Sequence, residues 1–203
     1  MTGGSIISVL VFPAAYLAGS INFSILVMTA LGLGDPRDKF SGNPGVTNVS
    51  RQAGLPWAVA VLALDLGRAM LVAVLGLHFL PRGLWPALGL ALLSGNRYPL
   101  FHGFRGGKGV ANYLGFTLVI APWAALIGSL GWLAGHRLTK LPFIGSFCLI
   151  TILGLGTMQA CGWEWPAVLG TVGTLIFIIY AHKSNIVQTW GRNREANRHS
   201  DRP

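Results

Sequence analysis

The run VANYLGFTLVIAPWAALIGSLGWLAGHRL, residues 110–138, carries no Lys, Arg, Asp or Glu before Arg137. At about 1.5 Å per helical residue it is long for one crossing of a bilayer and short for two full ones. Ala121-Pro122 falls in its middle, where proline removes a backbone donor and crowds the preceding turn. How this run is read fixes the parity of the whole chain. As one span it gives six crossings and scatters the basic loops over both faces. As two short helices hinged at Pro122 it gives seven, and all of the fifteen Lys and Arg except Arg68 and Arg82 then lie on one side. Cytoplasmic loops concentrate such residues. The expectation is an all-α, polytopic membrane helix bundle of seven transmembrane helices, N-terminus outside and C-terminus in the cytoplasm.

Composition points the same way. Of 203 residues, 52% are hydrophobic and 10% charged, against roughly a quarter charged in a soluble domain. Mean hydropathy is +0.58. A soluble domain of this size could not hide so much apolar surface, and a bilayer removes the need. The chain reads as a single integral membrane domain over residues 1–203, with a basic cytoplasmic tail from 183 onward. The first apolar stretch is not a cleavable signal, because Met1–Ser5 carries no Lys or Arg and the run is too long for an h-region. Cys148 and Cys161 lack metal-ligand spacing and read as small core residues. The net charge of +9 reports orientation and suits anionic headgroups or an anionic substrate. Nucleic acid is excluded as a partner, since the basic residues are spread over several short loops and not gathered on one face.

The remaining spans follow. Ile6–Leu33 carries small residues along its second half, the composition that lets membrane helices pack closely. Asn22, its one strongly polar residue, reads as an interhelical hydrogen bond. Leu55–Phe79 is interrupted by Asp65 and Arg68, three residues apart on neighbouring positions of one helix face. Charges inside a span should pair and face the protein, fixing register or supporting a site. Leu84–Leu100, Leu141–Ala160 and Ala167–Tyr180 complete the set, with Trp163-Glu164-Trp165-Pro166 as an interfacial turn.

Three polar stretches meet on the basic side of this topology. Ser41-Gly42-Asn43-Pro44-Gly45-Val46-Thr47-Asn48-Val49-Ser50-Arg51 offers close-approach glycines, hydroxyls, carboxamides and a planar cation. Arg105-Gly106-Gly107-Lys108-Gly109 opens a helix, so amides, dipole and a lysine point at one place. His182-Lys183-Ser184-Asn185 supplies a base or donor. Phosphate is the natural ligand. It is not a nucleotide P-loop, because the G-x-x-x-x-G-K-S/T spacing is absent and Val110 stands near where Ser or Thr belongs. Taken singly, each element has a plainer reading: Gly-Gly-Lys as a flexible turn, Ser41 as a turn or cap residue, His182 as a helix cap. Their convergence carries the functional one. The residues alone also admit a non-catalytic or retasked membrane protein that binds or moves anionic lipid or phosphate.

Ser41-Gly42-Asn43-Pro44-Gly45-x-Thr47-Asn48-Val49-x-Arg51, Phe104-x-Gly106-Gly107-Lys108-Gly109-Val110-Ala111 and His182-x-x-Asn185-Ile186, in that order, closely resemble the bacterial acyl-phosphate:glycerol-3-phosphate acyltransferase family, the PlsY type. The resemblance covers nearly the whole chain. It implies a multi-pass enzyme of the bacterial inner membrane with its motifs at the cytoplasmic face. It implies acyl transfer from acyl phosphate to the 1-hydroxyl of glycerol 3-phosphate, giving lysophosphatidic acid and phosphate, the first step of phospholipid synthesis. No metal, cofactor, CoA or acyl carrier protein is implied, and a monomer is expected. By the same resemblance Ser41, His182 and Asn185 are the catalytic candidates. Gly42, Asn43, Asn48, Arg51, Arg105, Gly106, Gly107, Lys108 and Gly109 are the phosphate-binding ones, with Asp65 and Arg68 in support. The chain departs from the family pattern at Ser184 (usually acidic), Asn96 (usually His), Arg68-Ala69 (usually Lys-Gly), Arg105 (usually Lys) and Asn112 (usually Thr). Ser184 and Asn96 remove partners that could orient His182.

Overall fold

The computed structural model describes residues 3–190, with side chains from Ile6 onward. Arg192, Arg194, Arg198 and Arg202 of the basic tail lie outside the described residues. Every regular element among those described is helical. In chain order they are α1 (Gly3–Ser20), α2 (Phe23–Ala30), α3 (Val46–Ala53), α4 (Leu55–Phe79), α5 (Trp85–Arg97), α6 (Val110–Ile120), α7 (Pro122–Thr139), α8 (Pro142–Ala160), α9 (Trp165–Ala181) and α10 (Lys183–Trp190).

Proline marks the starts. Pro56, Pro86, Pro122, Pro142 and Pro166 all stand in the first turn of a helix, where the missing N–H has no intrahelical partner to lose. Pro122 thus divides the 110–138 run into two helices, α6 ending at Ile120 and α7 beginning at Pro122. The first span is broken too, which its sequence did not suggest. Asn22 is the N-cap of α2, accepting from the Ile25 amide at 3.1 Å, and is not the interhelical bond expected of it. The Ser41–Arg51 stretch is also not all loop: from Val46 it winds into α3. Among the described residues three spans are long and apolar enough to cross a bilayer: the α1–α2 run Ile6–Ala30, α4 and α8. The α9–α10 pair, bent by 48° at His182, makes a fourth if taken as one span.

Small residues bring the helices together, as expected where lipid supplies no hydrophobic drive. At the α1–α5 crossing the fit is reciprocal. A Cβ on Gly19 would lie 2.0 Å from the Leu92 carbonyl oxygen, and one on Gly95 would lie 2.0 Å from the Tyr16 carbonyl oxygen. Gly115 of α6 is pressed on the Leu66 backbone of α4, and Gly145 of α8 on the Trp132 carbonyl of α7. Leu88, Leu92, Leu93, Phe116, Ile150, Leu153 and Ile178 fill the space between, all fully buried. Cys161 is buried as expected, but Cys148 is exposed on α8 and is not a core residue.

Ion pairs then tie the two ends. At one end Arg82, after α4, meets Glu164, before α9, at 2.5 Å. At the other, Arg37 holds Asp35 at 2.5 Å and donates to the carbonyls of His102 (2.7 Å) and Arg105 (2.8 Å), latching the α2–α3 connection to the α5–α6 connection. Within the bundle Arg68 binds Asp65 at 2.7 Å and Asn112 at 2.6 Å, and donates to the Ile21 carbonyl freed by the α1–α2 break. One guanidinium therefore joins α4, α6 and the first span.

Candidate functional site

At the Arg37 end a cavity of about 390 Å³ opens among α3, α4, α6, α7, α8 and the turn after α9. Its polar part is lined by Ser41, Asn43, Asn48, Arg51, Asn96, Gly107, Lys108, Gly109, His182 and Asn185. Its apolar part is lined by Leu62, Leu114, Trp132, Leu133, Phe143 and Leu149. All three polar stretches read from the sequence thus meet in one cavity whose lining is both ionic and apolar.

Lys108 and Asn185 bring two of the walls into contact, the Lys108 ammonium donating to the Asn185 carboxamide oxygen. Gly109 adopts φ 81°, a conformation glycine reaches without strain. It starts α6, and the first intrahelical bond there runs from Tyr113 N to Gly109 O. The amides of Val110, Ala111 and Asn112 precede it and are the orphan donors of that helix end. Burial, with the Arg97 charge nearby, lowers the Lys108 ammonium to about 8. Such a lysine is still a cation at neutral pH and is poorly solvated, so an arriving dianion supplies stabilisation that burial has removed and has little water to displace.

His182 sits at the bend beyond the end of α9 and is 3% exposed. Its Nδ1 lies 2.8 Å from the Ile178 carbonyl oxygen. A carbonyl only accepts, so Nδ1 carries the proton and Nε2 holds the lone pair in the neutral ring. Burial pushes its pKa down to about 4 against the pull of that bond, and the charges of Lys108 and Arg97 add to the fall. The ring packs edge-on to Phe147, with centroids 5.4 Å apart. Ser184 is exposed and does not line the cavity. The group that orients His182 is thus a backbone carbonyl one turn back, and no acid at 184 is needed for it.

Other predicted residues fall elsewhere. Gly42, Arg105, Gly106 and Arg68 do not line the cavity. Gly42 turns the chain at φ 64°. Arg105 is exposed and contributes only its carbonyl to Arg37. Gly106 and Gly107 donate their amides to the Arg97 (3.0 Å) and Asn96 (2.9 Å) carbonyls, so these amides are spent on holding the loop. Asn48 lines the cavity but donates to the Pro36 (2.8 Å) and Lys39 (3.2 Å) carbonyls, stitching its own loop. Asp65 lines the wall with Arg68 behind it.

Trp132, Phe143, Ser146 and Leu149 are not legible in the sequence, since apolar helices give no sign of which face meets a cavity. Asn96 and Asn112 stand out there only as departures from a pattern, yet both line the wall. Arg68 and Asn112, two of those departures, are bonded to each other.

Fold and site together define a helical membrane protein with an amphiphilic, anion-ready cavity at one face. A family model described as glycerol-3-phosphate acyltransferase matches residues 9–191. A glycerol-3-phosphate acyltransferase of Anaeromyxobacter sp. (strain Fw109-5) is 39% identical over 188 residues, 90% of this chain and 92% of that protein. One from Neisseria meningitidis serogroup C (strain 053442) is 38% identical, covering 86% of this chain and 89% of its own. Two crystal structures of PlsY (YgiH), an integral membrane glycerol 3-phosphate acyltransferase, superpose closely. The glycerol 3-phosphate form gives a TM-score of 0.83 at 31% identity, over 91% of this chain and 92% of that one. The lysophosphatidic acid form gives 0.80 at 30% identity, with the same coverage. The chain belongs to the glycerol-3-phosphate acyltransferase family.

Proposed function

We propose that this protein transfers a fatty acyl group from acyl phosphate to the 1-hydroxyl of glycerol 3-phosphate, releasing lysophosphatidic acid and inorganic phosphate. One observation carries the reading. A single cavity is lined both by Arg51, Lys108, His182 and the start of α6 and by Trp132, Phe143 and Leu149. Both substrates bring a phosphate, and one also brings a long apolar tail.

The acceptor hydroxyl attacks the acyl carbonyl carbon, a C–O bond forms, and the C–O bond to phosphate breaks with the electron pair leaving on phosphate. Lys108, Arg51 and the helix amides neutralise the phosphates, and holding the two substrates together supplies much of the rate. His182, a weak base at about 4, is matched to accepting a hydrogen bond from the hydroxyl through Nε2. The proton itself passes to a phosphate oxygen, whose basicity near neutral pH suits it better. Asn185 holds Lys108 in line, and Ser41 and Asn43 contact substrate oxygens. No covalent serine intermediate is needed, because acyl phosphate already carries a good leaving group.

The setting is the bacterial inner membrane, with the site on the cytoplasmic face and the cavity walled by one copy of the chain, acting as a monomer and single domain. The seven-span count is supported by the Arg82–Glu164 pair. It requires the turns after α4 and after α8 to share an end, as they do when α6 and α7 each cross. Purified protein in lipid, given acyl phosphate and glycerol 3-phosphate, should release lysophosphatidic acid and phosphate in equal amounts. No turnover in wild type, or undiminished turnover in both Lys108→Ala and Arg51→Ala, would sink the proposal.

A further inference from the structure

Two substrates that each carry a phosphate bring roughly three to four negative charges into one cavity at neutral pH. The cations lining it are Arg51 and Lys108. His182 is neutral there, and Asp65 has its charge matched by Arg68 behind it. In a partly dehydrated site such an imbalance is costly. A further cation stands one residue past the cavity-lining Asn96. Arg97 ends α5, half-buried, beside Gly106 of the glycine loop, next to the cavity and not itself in its lining. The three carboxylate ion pairs among the described residues belong to Arg37, Arg68 and Arg82, so Arg97 has no carboxylate of its own among them. Its Nε is buried without a hydrogen-bond partner. Its Nη1 reaches the Gly106 carbonyl only at 3.4 Å, beyond the usual N–H···O range of about 2.7–3.2 Å. Its guanidinium lies 5.6 Å from the centre of the Tyr98 ring, and Lys108 and His182 both lie within its field. A structural clamp would use these donors; here most of the fork is uncommitted.

We propose that Arg97 is a third phosphate-binding cation of the site, its uncommitted donors turning past Gly106 to a phosphate monoester or acyl phosphate that Lys108 also holds. The ligand class is a phosphate dianion, from either the acceptor or the donor and leaving group. The residue sets how tightly that phosphate is held and leaves the acyl-transfer step to the others.

The inference rests on the acyltransferase reading, and the test separates the two. Wild type, Arg97→Gln and Arg97→Lys in lipid nanodiscs are titrated calorimetrically with glycerol 3-phosphate and with inorganic phosphate, and KM for each substrate and kcat are measured. Arg97→Gln should weaken at least one of these phosphate interactions about tenfold or more and keep kcat within about threefold. Arg97→Lys, which keeps charge but loses the fork, should weaken it about threefold. The substrate whose KM moves identifies the phosphate that Arg97 holds. Should Arg97→Gln not fold, Arg97→Lys decides alone, with an unchanged thermal midpoint showing that it is intact. Affinities and KM values all within twofold of wild type overturn the inference, as does a loss of kcat alone. Turnover with unchanged binding in Arg97→Gln removes the inference and leaves the acyltransferase reading. Arg97-dependent binding without any turnover does the reverse.

Discussion

At the scale of single residues, two groups are set apart by their desolvation. Lys108 loses its proton near 8 because it is buried beside Arg97. It is charged through neutral pH and becomes neutral as pH rises past that value. In the free enzyme kcat/KM for glycerol 3-phosphate should therefore fall above about pH 8, and Lys108→Arg should push that limb beyond about pH 10, whatever it does to the maximum. A limb that stays at the same pH in Lys108→Arg would assign it to another group. His182 is lowered by burial as well, to about 4. The unfolded chain, with an ordinary imidazole, binds the proton more readily between about 6.5 and 4. Stability is thus fully present above about pH 6.5 and drains away as pH falls through that window, by about 3 kcal/mol at most. His182→Asn, which keeps a donor for the Ile178 carbonyl, should flatten the acid dependence of the thermal midpoint. An acid slope equal to that of wild type would refute it.

At the scale of elements, glycines and one ion pair hold helices at fixed distances. Gly95→Val must force α1 and α5 apart, since even a Cβ would sit 2.0 Å from the Tyr16 carbonyl oxygen. A fall in thermal midpoint with loss of monodisperse protein is expected. Gly67→Ala in α4 meets nothing within 4 Å and is the matched control, neutral or up to about 1 kcal/mol stabilising. Asp65→Ala leaves Arg68 buried without its carboxylate and should cost about 3–5 kcal/mol, whereas Asp65→Leu with Arg68→Met should recover most of it. Failure of the double variant to recover would mean that the Arg68 bonds to Asn112 and Ile21 matter more than charge matching. Much of this level was legible in the sequence. Pro122 marked a break because a proline in the middle of a helical run removes a backbone donor and crowds the preceding turn, and the first turn of a new helix is where it fits without loss. The three polar stretches declared themselves because polar loops stand out in an apolar chain. The α1–α2 break did not, because its signal is a single Asn22 acting as a cap amid apolar residues. Nor did the division of labour among the glycines. Gly106 and Gly107 have the composition of a phosphate cradle, but their amides close the loop onto Asn96 and Arg97. Composition cannot tell an amide aimed at a ligand from one aimed at the chain's own carbonyls. Arg37 was hidden for a related reason: besides Asp35, its partners are backbone groups of a distant loop.

At the scale of the whole molecule, the point at issue is which turns share a face. If α6 and α7 formed one crossing, the turn before α8 would lie with the turn after α4, and the turn after α8 would lie on the opposite face. Arg82 and Glu164 could not then touch, yet they are 2.5 Å apart. If α6 and α7 each cross, Arg82 and Glu164 share the outer face. Lys39, Lys108 and Lys140 share the inner one, which is also the end that Arg37 latches and the cavity opens on. Lys140 discriminates, because it changes sides between the two arrangements while Arg82 and Lys39 do not. In a background with Cys148 and Cys161 replaced by Ala, single cysteines at 39, 82 and 140 are exposed to a membrane-impermeant maleimide on intact cells. Arg82→Cys should label at once, and Lys39→Cys and Lys140→Cys only after the membrane is permeabilised. Labelling of Lys140→Cys on intact cells, with Lys39→Cys still protected, would remove the seventh crossing. It would also place the α7–α8 turn, and with it the Phe143 wall of the cavity, on the face opposite to Lys108.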